Sequence, residues 1–163
     1  MKIFIFDNYI PEIMITKIQI NEFYSQSHMA LIGVSRNKKK FGFMVFNELK
    51  NKGYTVYPVN RNADTIEEVV CYRTIDTLPA QITAAVVMTP KKSTLEAVQQ
   101  LILKGIKQIW IQQSSDTPEA IELAGKNGVN LIYGKCIFMF SEPVTGMHKF
   151  HKSILRFFNR LPN

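Results

Sequence analysis

Residues 30–42 read ALIGVSRNKKKFG. The apolar run that ends at Gly33 is too short for a helix core, and turn chemistry follows it at once, so it reads as a buried strand. Gly33 and Ser35 then open a basic turn, and a helix begins near Phe41 and Gly42. A strand, a glycine, a small hydroxyl residue and a helix start form an arrangement that can cradle a phosphate, because close backbone approach and helix-start amides both favour an anion.

The same pattern extends in both directions. Upstream, TKIQINEFYSQ predicts a short helix capped by Thr16, with Ile18, Phe23 and Tyr24 toward one side. Downstream, residues 42–52 predict a helix whose stripe is Val45, Phe46 and Leu49, stopped by Gly53. YTVYPVN at 54–60 predicts a second strand with Pro58 near its end. Strands follow at 82–89, 106–113 and 129–134, separated by a helix between Pro90 and Gly105 and another capped by Thr117 with Pro118 at its first position. Residues 61–81 form a long connection, with a helical turn expected around Ile75–Leu78.

Strands apolar on both faces that alternate with helices of about ten to fifteen residues define a covered parallel sheet. The expected fold is α/β: a Rossmann-like three-layer sandwich with a five-stranded, mainly parallel sheet over residues 16–145. Residues 1–15 read as an N-terminal extension of unassigned role. Residues 146–163 read as a basic amphipathic helix, with Met147, Phe150, Ile154, Phe158 and Leu161 on one face, packed on the domain or at a dimer interface.

The 163 residues are enough for one substantial core. Twenty Lys+Arg against 13 Asp+Glu give a formal charge of +7, which favours acidic partners. Cys71 and Cys136 lie far apart, outside any CxxC or Cys/His cluster, so neither a disulfide framework nor a zinc site is expected. No apolar run reaches the roughly 20 residues of a membrane helix, and Asp7, Pro11 and Glu12 break the first stretch as a secretory signal. The expectation is a cytoplasmic protein with no transmembrane segment. The basic residues do not alternate with exposed aromatics as a base-stacking groove would, so no specific nucleic acid is expected.

In open parallel sheets the ligand sits beyond the carboxyl ends of the strands. Those ends carry Gly33, Val34 and Ser35; Pro58, Val59 and Asn60; Thr89 and Pro90; Gln112 and Gln113; and Gly134 to Cys136. The dinucleotide fingerprint is weak, since Ser35 stands where GxGxxG needs glycine and Asn60–Arg61 replaces the usual acidic residue. Arg61 suits an extra ribose phosphate, which coenzyme A and NADP both carry. From the residues alone, the turn either binds a phosphorylated adenine ligand or only builds the fold.

The stretches LIGVSRNKKKFG, GYTVYPVNRNAD, CYRTIDTLP, AAVVMTP, IKQIWIQQ and CIFMFSEPV, in this order and spacing, resemble the CoA-binding protein family. Its single Rossmann-like domain is similar to the CoA-binding domain of the succinyl-CoA synthetase alpha subunit. The resemblance implies coenzyme A or acyl-CoA as ligand, its diphosphate near Gly33–Ser35 and Lys40, Phe41 and Gly42, and its adenine near Pro58 and Asn60. Arg36 or Arg61 would meet the ribose phosphate, Thr89 and Pro90 would line the neighbouring wall, and Gln112 and Gln113 would define the far end. Where family members commonly carry a glycine after the glutamine pair, this chain has Ser114, and IEEVVCY lacks the glycine common before CY.

No catalytic constellation emerges. His28 begins a strand at the end away from the site, and His148 and His151 sit in the tail without further ligands nearby. Cys136, at the rim, is the candidate for thiol exchange with coenzyme A. The expected function is non-enzymatic binding of coenzyme A or acyl-CoA, as a sensor or carrier, with a homo-oligomer and an unidentified protein partner left open. The alternatives are an NADP-dependent oxidoreductase and the nucleotide-binding component of a larger synthetase or transferase complex.

Overall fold

The computed structural model describes residues 15–141. The extension over 1–14 and the tail helix expected over 146–163 therefore lie outside the described residues. The elements run α1 (Lys17–Tyr24), β1 (His28–Ile32), α2 (Phe41–Asn51), β2 (Thr55–Val59), β3 (Thr65–Ile66), β4 (Val69–Val70), β5 (Ala84–Val87), α3 (Lys91–Leu103), β6 (Gln108–Gln112), α4 (Pro118–Lys126) and β7 (Asn130–Lys135). A single 3-10 turn, Ile137–Met139, follows.

The main sheet has five strands in the order β2-β1-β5-β6-β7, and every pairing in it is parallel. The mainly parallel expectation is thus met by a sheet that is parallel throughout. Side-chain alternation along each strand sorts the core into two layers. Met29, Leu31, Ala84, Val86 and Trp110 pack on one face with Phe23 of α1 and Phe46 of α2. Ala30, Ile32, Ala85, Val87, Ile109 and Ile111 pack on the other with Val98 of α3 and Ala120 of α4. Trp110 is fully buried, meets Phe23 edge-on at 5.4 Å between ring centroids, and donates its indole N–H to the Lys135 carbonyl at 3.2 Å.

The helix starts follow the sequence closely. Thr16 forms a capping box with Gln19, and the Thr117 side chain accepts from the Ala120 amide. In α1 the buried residues are Ile20 and Phe23, whereas Ile18 is 69% exposed, so Ile20 replaces Ile18 on the expected apolar side. Ile15, assigned to the extension from sequence, is packed in the core.

The long connection differs most from its expectation. The turn expected at Ile75–Leu78 is present as one hydrogen-bonded turn, from the Leu78 amide to the Ile75 carbonyl. Before it stands an antiparallel hairpin, β3 with β4, unanticipated because its two-residue turn is Glu67–Glu68. Both residues have positive φ, 46° and 66°, in a turn where Asn-Gly is the usual choice. Lys38 pairs with Glu67 at 2.7 Å, and that hydrogen bond, with the lysine's charge, holds the Glu67 carboxyl below the usual carboxylate range.

Glu68 makes no ion pair among those described, so Glu68→Gly removes left-handed strain of about 1–2 kcal/mol and gives back about 0.5–1 kcal/mol in unfolded-state entropy. The expected result is a gain of about 0.5–1 kcal/mol in urea unfolding. A loss would show that the Glu68 side chain has a role that the turn geometry does not reveal.

Candidate functional site

β1 is flanked by β2 on one side and β5 on the other, so the strand order reverses there. At such a switch point the connections leave on opposite faces of the sheet and open a crevice beyond the strands' carboxyl ends. A cleft of about 710 Å³ occupies this position. Its floor is Gly33, Val34 and Ser35 after β1, one wall is Asn60 and Arg61 after β2 with Arg73 and Thr74, and the other is Thr89 and Pro90 after β5 with the first turns of α3.

Gly33 is indispensable to the floor. Its φ is +93°, and an added Cβ would lie 2.9 Å from the Met88 carbonyl oxygen on the neighbouring strand end. The backbone of β1 therefore passes against that of β5 with no room for a side chain, and the Gly33 edge itself stays open to the cleft. Beneath it sits Gly42, where a Cβ would be 2.8 Å from the Gly33 carbonyl oxygen. Gly42 thus lets α2 start directly under the turn.

The loop between floor and helix is knotted by its own polar groups. Ser35 Oγ accepts from the Asn37 amide at 3.1 Å, Asn37 Oδ1 accepts from the Lys39 amide at 2.9 Å, and the Lys40 amide donates to the Asn37 carbonyl at 3.0 Å. Ser35 keeps its hydroxyl hydrogen for a ligand, since a hydroxyl both donates and accepts. Lys40 caps α2 without a side-chain bond. The amide of Lys40 is thus already engaged, and the donors left over by the helix start belong to Phe41 and Gly42.

Asn60 works as a brace. Its Nδ2 donates to the Val34 carbonyl, its Oδ1 accepts from the Asn62 amide at 2.8 Å, and its backbone amide donates to Tyr72 at 2.9 Å. The Tyr72 amide in turn donates to the Pro58 carbonyl at 2.8 Å, closing the exposed edge of β2. This fold-back carries Arg73 beside Arg61. The Arg73 guanidinium pairs with Asp64 at 2.7 Å and donates to the Arg61 carbonyl at 3.3 Å, which orients a second cation toward the same wall.

Of the residues expected from sequence, Gly33, Val34, Ser35, Asn60, Arg61, Thr89 and Pro90 come together around the cleft. The others stand outside its lining. Arg36 and Lys40 are exposed on the loop, and Phe41 packs edge-on to Phe138 at 5.3 Å. Gly42 and Pro58 are buried. Gln112 is 3% exposed and accepts from the Ile137 amide at 3.2 Å, a bond that seats the chain after β7. Gln113 and Ser114 lie exposed in the following turn.

Cys136 is buried after the last strand, at the start of the 3-10 turn, rather than open at the rim. Cys71 is buried too, and desolvation pushes its thiol up, away from the thiolate needed for exchange.

Sequence reasoning missed Arg73 and the α3 wall. Arg73 lies in the conspicuous stretch CYRTIDTLP, but only the Tyr72 pairing turns it toward the site. Ser93, Glu96, Ala97 and Gln100 recur at i, i+3, i+4 and i+7, a helical stripe that could have been read as one face.

The fold and cleft define a parallel α/β domain with an open cleft at its switch point. The chain belongs to the CoA binding domain family, whose model matches residues 27–142, and coenzyme A is the ligand that this membership assigns. The chain is 28% identical over 129 residues to the alpha subunit of ADP-forming acetate–CoA ligase II of Pyrococcus furiosus, and 35% identical over 121 residues to ADP-forming acetate–CoA ligase II of Archaeoglobus fulgidus. The matches take in 72% and 67% of this chain but only 28% and 18% of those proteins.

Among solved structures it is similar to a conserved hypothetical protein from Pyrococcus furiosus, at 34% identity and TM-score 0.65, covering 68% of this chain and 95% of that one. A hypothetical protein from Pyrococcus horikoshii is 29% identical with a TM-score of 0.74, covering 80% of this chain and 93% of that one.

Proposed function

We propose that the domain binds coenzyme A or acyl-CoA in the switch-point cleft and holds it without transforming it, as a carrier or sensor in the cytoplasm. The observation that carries this reading is the pairing of a floor open to a diphosphate, at Gly33 and Ser35, with two arginines, Arg61 and Arg73, in the same cleft lining. A diphosphate gains from close backbone approach and a hydroxyl donor, and a ribose phosphate gains from charge-assisted bonds to arginine. Among the described residues, the cleft lining otherwise supplies hydroxyls, amides and one carboxylate, a set suited to orienting a ligand.

Titration calorimetry of the full chain with coenzyme A, acetyl-CoA and NADPH tests this. Saturable heat with coenzyme A and acetyl-CoA and none with NADPH is the expected result. Folded protein that gives no heat with coenzyme A would overturn the reading, and preference for NADPH would favour the oxidoreductase.

A second reading has its own support. The curated relatives are ADP-forming acetate–CoA ligases of which the matching segment is a minor part. On that reading the domain presents coenzyme A to other segments or subunits of a ligase. ATP-dependent acetyl-CoA formation by the purified chain, alone or with a co-purifying partner, is the outcome that would establish it over the carrier.

A further inference from the structure

The stripe Ser93, Glu96, Ala97 and Gln100 runs along the cleft over eight residues of α3, about 10 Å from first to last at 1.5 Å per residue. Its far end, Gln100, is ten residues from Pro90 at the helix start, or about 15 Å from the groups that favour a phosphate. A ligand that fills the cleft with its diphosphate over Gly33 must place something other than an anion against Glu96, since a carboxylate repels phosphate. Ala97, and Ile75 on the loop after Arg73, are 6% and 4% exposed and offer apolar surface for the faces of a planar ring.

The polar pair at this end is already set. Gln100 Nε2 donates to Glu96 Oε1 at 3.2 Å. By the bonding capacity of the two groups, the second carboxylate oxygen remains an acceptor and the second amide hydrogen a donor. An acceptor beside a donor complements the edge of adenine, where the 6-amino group donates next to a ring nitrogen that accepts. A 6-oxopurine turns an oxygen toward the carboxylate instead. The chain order supports the placement: Arg73 and Ile75 are near neighbours on one loop, as ribose phosphate and base are neighbours in the ligand.

We infer that Glu96 and Gln100 read the amino edge of adenine and make the cleft selective for adenine over 6-oxopurine bases. The inference rests on the coenzyme A reading above. A good bidentate pair supports roughly 10- to 100-fold discrimination.

The test titrates the full chain with adenosine 3′,5′-diphosphate and inosine 3′,5′-diphosphate, with coenzyme A in parallel. Wild type is expected to favour the adenine compound roughly 10- to 100-fold. Glu96→Ala should bring the ratio near one by weakening the adenine compound, and Glu96→Gln, which keeps a carbonyl acceptor, should retain a clear preference. Thermal melting checks that both variants fold, as an exposed helix position leads one to expect.

Equal wild-type affinity for the two bases, with coenzyme A still bound, overturns this inference and leaves the coenzyme A reading standing. Equal tightening of both ligands by both substitutions also overturns it, because Glu96 would then act by charge alone. Failure of coenzyme A itself to bind overturns the two together.

Discussion

A Gly33→Ala variant is expected to lose roughly 2–6 kcal/mol of folding stability and, with it, coenzyme A binding. Two effects add. At φ +93° any side chain is strained, at a cost on the order of 1–3 kcal/mol. The methyl would also sit 2.9 Å from the Met88 carbonyl oxygen and 3.0 Å from its carbon, both backbone atoms immediately after β5, the strand that pairs with β1. Relief requires the ends of β1 and β5 to separate, an overpacking cost of about 1–3 kcal/mol more.

For a domain whose total stability is about 5–15 kcal/mol, that is a large share. Gly53 and Gly105 also have positive φ but no neighbour within 4 Å, so alanine there would bring strain without the clash. Urea unfolding followed by the fluorescence of the single tryptophan, the buried Trp110, measures the loss. A change below about 1 kcal/mol, or unaltered affinity for coenzyme A, would mean that the strand ends can yield where their packing says they cannot.

The second large effect is expected at the guanidinium pair. Replacing both Arg61 and Arg73 by alanine should weaken coenzyme A by roughly 100-fold while leaving dephospho-CoA nearly unchanged. Hydrogen bonds to a charged group are worth about 1.5–3 kcal/mol each when a partner is removed, and a partly exposed wall keeps the combined effect near the lower end. Little fold stability should be lost, because the Arg73–Asp64 pair is exposed on both sides, at 63% and 81% of side-chain surface.

Arg73→Ala alone is expected to cost more than Arg36→Ala, since Arg36 stands outside the cleft. Calorimetry with the two ligands decides the matter. Equal weakening of both would show that the arginines act on the diphosphate or on the fold rather than on the ribose phosphate.

How much of this was legible beforehand depends on the range of the forces involved. The Thr16 and Thr117 caps and the glycine stops at Gly53 and Gly105 act within a few residues, and each is found where its local pattern points. The hairpin at 65–70 was illegible because Glu67 and Glu68 are poor residues for a positive-φ turn; the pairing of Thr65 with Val70 and Ile66 with Val69 holds them there. Pro58, Gln112 and Cys136 all sit near strand ends, yet strand position alone does not say whether a side chain meets the cleft or the core. Gln112 went inward because the Ile137 amide needed an acceptor.

By itself the sequence determined the α/β class, the succession of elements, the membership in the CoA binding domain family and the glycine that the site's floor requires. These rest on periodicity, capping and backbone freedom, which a chain carries locally. Tertiary structure alone decided which residues share the cleft. Tyr72 had to pair with the edge of β2 before Arg73 could stand beside Arg61, and α3 had to cross back over β5 before Glu96 and Gln100 could face the same space. Such meetings are settled by packing between segments remote in the chain, and no local pattern encodes them.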